Sequence, residues 1–138
     1  MPKASVLQFN NYTVEKLHFK STPVETDQHE FQLHPRFNRE LIDLGDNNYD
    51  VQLSVDITST EQHPMPFELS VVIVGHFTYD DTEDSSPELK EAVLRNNTIS
   101  ILFPFLRQIV ATLTTTANVA TLMLPIMNFN DALKKNKS

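Results

Sequence analysis

The chain has 138 residues, of which 40% are hydrophobic and 21% charged, and its formal net charge is −7. This length and apolar content predict one globular domain over residues 1–138, and the negative charge argues against a general nucleic-acid or anionic-membrane surface. The chain has no cysteine, which excludes disulfides, thiol nucleophiles and cysteine-ligated zinc sites. Its first residues lack the apolar core of a signal peptide, and no unbroken apolar run is long enough for a bilayer, so we expect a cytoplasmic protein without membrane insertion.

The first half of the chain predicts β-strands. The apolar residues of 12–14 and those of 17–19 have opposite parity, which predicts one strand with a bulge at residues 15–16. Apolar and polar residues alternate over 49–58, which predicts a half-buried strand. Because 67–79 repeats the pattern, we expect these two strands to pair in antiparallel fashion.

The stretch between the first two of these strands shows no such alternation. Its aromatic and leucine side chains are irregularly spaced from residue 31 to residue 41, which predicts an irregular crossing segment. The sequence DLGDNN follows, and its Gly45 is typical of a turn.

From residue 86 onward the sequence predicts helices. Ser86 is a suitable N-cap and Pro87 suits the first helical position, so a short helix is predicted towards Arg95, where the sequence NNT breaks it. Pro104 has no N–H to donate, so the main helix should begin only a few residues before it. A last short helix is predicted over residues 129–137. The main helix should lay one apolar stripe on the sheet, formed by Leu102, Phe105, Leu106, Ile109, Val110 and Leu113.

The opposite face of this main helix is polar but uncharged. Between residues 96 and 130 the single charged side chain is that of Arg107, whereas the average composition would place about seven charges in these 35 residues. Interface centres are depleted in charge, so we predict self-association through this face; an exposed, threonine-rich surface is the alternative. The residues of the face are Gln108, Ala111, Thr112 and Thr115.

Motifs for catalysis or cofactor binding are missing from the sequence. With only two glycines the chain cannot build a phosphate-binding loop on the usual pattern, and the acidic run at 80–84 lacks the spacing of a calcium loop. We therefore expect neither an enzyme nor a metal or cofactor site. The five histidines show no helical i,i+4 pair; they are His18, His29, His34, His63 and His76.

Three stretches resemble the SecB export-chaperone family. ILFPFLRQIV at 101–110 is followed about twenty residues later by LMLPIMNFNDAL at 122–133, and YDVQLSVDITS at 49–59 is similar to a strand of that family. The resemblance implies an α+β fold with a four-stranded antiparallel sheet, a long helix packed on one face and a short C-terminal helix. It also implies a homotetramer, a dimer of dimers whose long helices meet at the centre, which agrees with the uncharged helix face.

The resemblance further implies a cytoplasmic holdase. Such a chaperone binds non-native precursor polypeptides in apolar grooves and keeps them competent for export by the Sec translocase, handing them to the SecA motor. By resemblance, Leu69, Val71 and Ile73 match strand positions associated with oligomer contacts. The client-binding groove is assigned to Phe31 and Phe37 in the crossing segment and to Met127, Phe129 and Leu133 near the C-terminus.

One stretch departs from the family pattern. The family carries two acidic residues on its first strand that contact SecA, and here the stretch KLHFK places Lys16 and Lys20 at those positions. The acidic tail of the family is likewise replaced by KKNKS. SecA is thus a possible partner with a weakened acidic patch. The alternative is a SecB-like chaperone dedicated to one partner, such as an antitoxin, and independent of export.

Overall fold

The computed structural model describes residues 7–22, 35–62, 64–80 and 86–116. These residues form one four-stranded antiparallel sheet with a helix packed on one face. The α+β fold with four strands and a long helix is therefore confirmed, whereas the predicted helix at 129–137 lies outside the described residues. The elements are β1 (Leu7–Ser21), β2 (Arg36–Gly45), β3 (Asn48–Ile57), β4 (Phe67–Tyr79), α1 (Pro87–Ala92), a π turn (Val93–Asn97) and α2 (Thr98–Thr116). The strand order in the sheet is β1-β4-β3-β2.

The sheet has a helix side, covered by α2, and an outer side. On the helix side, Ile73 of β4 pairs with Leu53 of β3, and both are fully buried. The helix lies close to the sheet at Gly75, where a Cβ atom would lie only 2.6 Å from Cδ2 of Leu102. The outer side carries mostly polar residues, among them Asp50 opposite His76. The alternation predicted for β3 thus corresponds to one buried and one open face.

Two bulges shape β1. Its register with β4 shifts between Phe9 and Asn11 and again between Val14 and Lys16. The second shift confirms the bulge predicted at residues 15–16. It keeps the apolar residues before and after it on the helix side, because Val14 pairs with Ile73 and Leu17 pairs with Val71.

β2 corrects one prediction. From Arg36 to Gly45 the chain is an edge strand paired with β3, with one register shift between Asp43 and Gly45, and not an irregular crossing segment. Its alternation is obscured because apolar side chains occupy both faces of this exposed edge. The predicted turn is confirmed: Gly45, Asp46 and Asn47 all have positive φ, at 87°, 53° and 62°, which suits a tight hairpin connection.

The start of α1 was predictable from its capping residues. Oγ of Ser86 accepts a hydrogen bond from the N–H of Leu89 at 3.1 Å, and Pro87 occupies the first turn. Lys90 then holds α1 on the sheet, since its Nζ lies 5.6 Å and 5.1 Å from the ring centroids of Tyr49 and Tyr79. Such cation–π contacts are worth about 0.5–1 kcal/mol at exposed sites and more when desolvated.

The predicted helix break at NNT is wrong. A π turn at Val93–Asn97 carries the chain directly from α1 into α2, and the hydroxyl of Thr98 donates to the carbonyl of Leu94 at 2.6 Å. Pro104 therefore lies inside α2, not near the start of a separate helix. It is tolerated because Pro104 and Ser100 are exposed, so water can hydrate the carbonyl that the proline leaves without a donor.

The buried face of α2 is rotated relative to the predicted stripe. Phe103 and Thr114, which the stripe omitted, are buried, whereas Phe105, Ile109 and Leu113 are only partly covered. The joined helix Pro87–Thr116 is 30 residues long and apolar enough, by length and composition alone, to cross a bilayer. Its contacts with the sheet are those of a core helix. The residues of α2 that it buries are Thr98, Ile99, Leu102, Phe103, Leu106, Val110 and Thr114.

Candidate functional site

The uncharged face of α2 points away from the sheet. Gln108, Thr112 and Thr115 are exposed and Ala111 is half-buried, as the sequence predicted for the side opposite the core. Most side chains of this face are short, which permits close approach of a second helix. The face also carries a shallow, open depression of about 480 Å³. Among the described residues, it is lined by Pro104, Arg107, Gln108, Ala111, Thr112, Thr115 and Thr116.

The strand positions assigned to oligomer contacts require a correction. Leu69, Val71 and Ile73 lie on the helix side of β4 and are 1%, 0% and 0% exposed within a single chain. Because they are already buried within one chain, they have no surface left to offer a second copy. They belong to the core, and only the α2 part of the predicted interface is accessible.

Phe37, predicted to line the client groove, is also a core residue. It is 4% exposed, and its ring meets that of Phe103 edge-on, with centroids 6.1 Å apart. A side chain so enclosed anchors β2 to α2 and presents little area to a client. The other predicted groove residues, Phe31, Met127, Phe129 and Leu133, lie outside the described residues.

β1 carries an apolar strip that sequence reasoning missed. Its half-buried aromatic residues pack against neighbours: the Tyr12 and Phe105 rings have centroids 4.6 Å apart, and the Phe19 and Phe67 rings 5.4 Å apart. Between them, Val14 and Leu17 remain 45% and 57% exposed on the helix side of this edge strand. Exposed apolar residues clustered on one edge favour contact with another polypeptide. We call Tyr12, Val14, Leu17 and Phe19 the β1 strip; the opposite parities of its residues across the bulge were the signal that could have located it.

The outer side of the sheet is polar and internally hydrogen-bonded. Nδ1 of His76 lies 2.7 Å from Oδ1 of Asp50, and Nε2 of the same ring lies 3.4 Å from Oγ1 of Thr13. This chain of contacts links β3, β4 and β1 across an open surface. Within the described ranges, no three histidine or acidic side chains converge as a metal site would require.

The two lysines of KLHFK lie on this outer side. Lys16 pairs in register with Val72, and Lys20 pairs with Glu68 on β4. Both lysines are exposed, so the outer side carries positive charge on β1 beside a carboxylate on β4. Of the acidic run at 80–84, only Asp80 lies within the described residues.

The chain is similar in sequence to known proteins. The protein-export protein SecB of Anaplasma phagocytophilum (strain HZ) is 31% identical over 87 residues, which cover 63% of this chain and 55% of that protein. The match thus spans about half the length of that relative. An uncharacterised protein of Methanocaldococcus jannaschii is 26% identical over 132 residues, covering 92% of this chain and 82% of that protein.

The fold itself is shared with a solved chaperone structure. A SecB-like chaperone of Mycobacterium tuberculosis, in complex with a ChAD peptide from the HigA1 antitoxin, superposes with a TM-score of 0.72 at 14% identity. The superposition covers 88% of this chain and 91% of that chain. At this identity the likeness concerns the fold.

The sequence resemblance has independent support from a family model described as "Preprotein translocase subunit SecB", which matches residues 7–138. The predicted family is therefore confirmed, and its members are chaperones, not enzymes. Since the match includes nearly the whole chain, this protein belongs to the SecB family.

Proposed function

We propose that the protein is a cytoplasmic holdase chaperone that binds non-native polypeptides through exposed apolar surfaces. The observation that carries this proposal is the β1 strip, together with further exposed apolar residues on β2, in a chain of the SecB family. Holding a client needs no chemistry. Removing a large apolar side chain from water is worth about 1.5–3 kcal/mol, so a few anchors, offset by ordering costs, give modest affinity at each site.

Self-association raises this affinity. The uncharged outer face of α2 supports assembly into a homotetramer, a dimer of dimers, because small polar residues allow close helix contact without burying charge. Several client surfaces on one assembly engage a long chain at once, which strengthens binding without new contacts. Phe31, Met127, Phe129 and Leu133 remain the proposed groove residues.

Two roles are proposed for the binding of the client. Membership of the SecB family supports the holding of precursor polypeptides for the Sec translocase. The second candidate is a chaperone dedicated to one partner such as an antitoxin. It is favoured by Lys16 and Lys20, which place positive charge where the family's contact with SecA is acidic, and by the antitoxin peptide bound to the structural neighbour.

Suppression of aggregation tests the holding activity. Two unrelated, chemically unfolded proteins are diluted into buffer with and without the chaperone, and turbidity is followed. We expect Leu17→Ser to require several-fold more chaperone for the same protection. Leu89→Ser is the matched control, because Leu89 is similarly exposed but lies on α1. Protection of neither client by the native protein would contradict the holdase proposal, and protection of only one would favour a dedicated partner.

Leu17 could also serve assembly, and light scattering distinguishes the two roles. If Leu17→Ser keeps the native mass but loses client protection, the β1 strip contacts clients. If the mass falls instead, the strip lies between protomers and client binding must be assigned elsewhere.

A further inference from the structure

The outer side of β1 carries a row of nitrogen-bearing side chains. Lys16, His18 and Lys20 occupy alternate positions, and the register with β4 is regular over this stretch, so all three point to the outer side. All three are exposed. Since a strand rises about 3.3 Å per residue, neighbouring members lie about 6.6 Å apart and the row is about 13 Å long. We call these three residues the basic row.

The lysines of the basic row are not neutralised by the described part of the chain. Neither lysine side chain forms an ion pair or a hydrogen bond with the residues that the structure describes. Two carboxylates of the same side are held by other partners: Glu15 accepts a hydrogen bond from Nε2 of Gln52 at 3.1 Å, and Glu68 accepts one from the N–H of Ser59 at 3.3 Å. The lysines therefore present their full positive charge to solvent.

The surface of β4 beside the row is closed and partly apolar. Val72 pairs with Lys16 and is half-buried on the outer side. Ser70 pairs with His18 and is 7% exposed, and its hydroxyl donates to Oδ1 of Asp56 at 2.6 Å. A chain lying along the row therefore meets the methyl groups of Val72 and a hydroxyl that already has its partner.

The charge of the whole chain restricts what this row recognises. The chain has a formal net charge of −7, so an acidic partner is repelled by the molecule as a whole and attracted where cations are locally in excess. In an extended segment, alternate side chains lie on one face about 6.6 Å apart, which equals the spacing of the basic row. Carboxylates at every second position can therefore meet Lys16, His18 and Lys20 in turn, since even a neutral imidazole has one N–H to donate.

We propose that the outer side of β1 is a docking surface for an acidic segment of a partner protein, whose alternate carboxylates are bound by Lys16, His18 and Lys20. This goes beyond the proposed function, because the partner is recognised by its charge, whereas non-native clients are held by apolar residues. The basic row and the β1 strip lie on opposite sides of the sheet. A docked partner therefore leaves the β1 strip open to a client.

The affinity of such a surface is limited and depends on salt. Each exposed ion pair changes Kd by up to about five-fold, and the attraction between exposed charges is screened as ionic strength rises. Contact with Val72 adds a part that salt does not screen. We therefore expect weak binding that decreases several-fold between low salt and about 0.15 M salt.

Defined peptides and the full-length protein test the geometry. The probe is a heptapeptide with Glu at its second, fourth and sixth positions and Thr elsewhere. A second peptide of the same composition has its three Glu residues contiguous, so an extended chain presents at most two of them on one face. Amide chemical shifts report the site and the Kd. We expect shifts confined to residues 16–20 and 68–72, and tighter binding of the alternating peptide by a few-fold. A peptide with Lys in place of Glu should cause no shifts there.

Charge variants test the basic row itself. Lys16→Gln and Lys20→Gln should each weaken the alternating peptide about three- to five-fold, and the double variant about ten-fold or more. Arg36→Gln is the matched control, because Arg36 is also exposed on the outer side but lies on β2, at the opposite edge of the sheet. The control should bind the alternating peptide as the native protein does.

Four results would overturn the inference: equal affinity for the two arrangements of Glu, shifts that avoid residues 16–20, equal effects of the lysine variants and Arg36→Gln, or tighter binding of a single-stranded oligonucleotide than of the peptide. A lower mass of the double variant in light scattering would also overturn it, because the row would then lie between copies of this chain.

Client protection is measured in parallel with the same samples. If clients are protected but the alternating peptide does not bind, the docking surface fails alone. If the peptide binds at the basic row while no unfolded client is protected, the proposed function fails and the docking surface stands.

Discussion

The tight packing of α2 against the sheet at Gly75 leads to a prediction about stability. Gly75→Ala places a methyl group where Cδ2 and Cδ1 of Leu102 would lie 2.6 Å and 2.9 Å away and Cε2 of Phe77 2.7 Å away. Carbon atoms pack at about 3.5–4.0 Å, so each neighbour must retreat by roughly 1 Å. Leu102 is fully buried and Phe77 is 1% exposed, so neither can rotate into solvent. Overpacking of this kind costs about 1–3 kcal/mol of unfolding free energy.

A double-mutant cycle isolates this clash. Leu102→Ala alone should cost about 2–5 kcal/mol through the cavity it leaves, whereas in the double variant the new methyl group partly fills that cavity. We therefore expect the double variant to be less destabilised than the sum of the two single variants by at least 1 kcal/mol. Urea unfolding followed by circular dichroism, at one fixed protein concentration, measures each free energy.

Gly45→Ala supplies the comparison. Gly45 has nothing within 4 Å of its would-be Cβ but adopts a φ of 87°, so alanine there is strained by its backbone alone. Its cost should add independently to that of Leu102→Ala. If the costs of Gly75→Ala and Leu102→Ala were additive, the methyl group at position 75 would not clash with Leu102.

Three further predictions concern the surface. Thr112→Arg should lower the mass seen by light scattering from about four times 15.8 kDa, because an unpaired charge buried between helices costs several kcal/mol; a clean tetramer would contradict the interface assignment. Replacing Lys16 and Lys20 with Glu should strengthen binding to SecA several-fold at low salt and less at high salt, as measured by titration calorimetry, and an unchanged affinity would exclude these positions from the contact. Ser86→Ala should lower the unfolding free energy by about 1 kcal/mol through loss of the N-cap, while Ser86→Thr restores most of it; equal stability of both would show that α1 does not depend on the cap.

Local chemistry made part of this fold predictable. The bulge in β1 followed from a change of parity, and the start of α1 followed from Ser86 and Pro87, because each effect acts within a few residues. β2 was missed because its apolar residues occupy both faces of an exposed edge. The continuity of the helix from α1 into α2 was missed because it runs through a π turn at Val93–Asn97, for which the residue pattern gives no local sign.

The candidate surfaces were predictable to a smaller extent. Helical periodicity correctly placed Gln108, Thr112 and Thr115 on the side of α2 opposite the core, whereas the interface inferred from their lack of charge stays a prediction. Alternation in β4 showed that Leu69, Val71 and Ile73 share a face, but it could not show whether a helix of the same chain or another copy covers them.

The π turn sets the angular phase of everything that follows it. Each residue of an α-helix advances the chain by about 100°, so the one extra residue held in Val93–Asn97 determines which side of α2 faces the sheet. Upstream, α1 is fixed to the sheet through Lys90, so the phase cannot be recovered by turning α1. Deleting a single residue here, such as Asn96, would rotate α2 about its axis and turn a different set of its side chains towards the sheet. The number of residues in the π turn thus determines which residues of α2 are buried and which are exposed. An insertion or deletion in this turn would alter the buried and the exposed face of the helix at the same time.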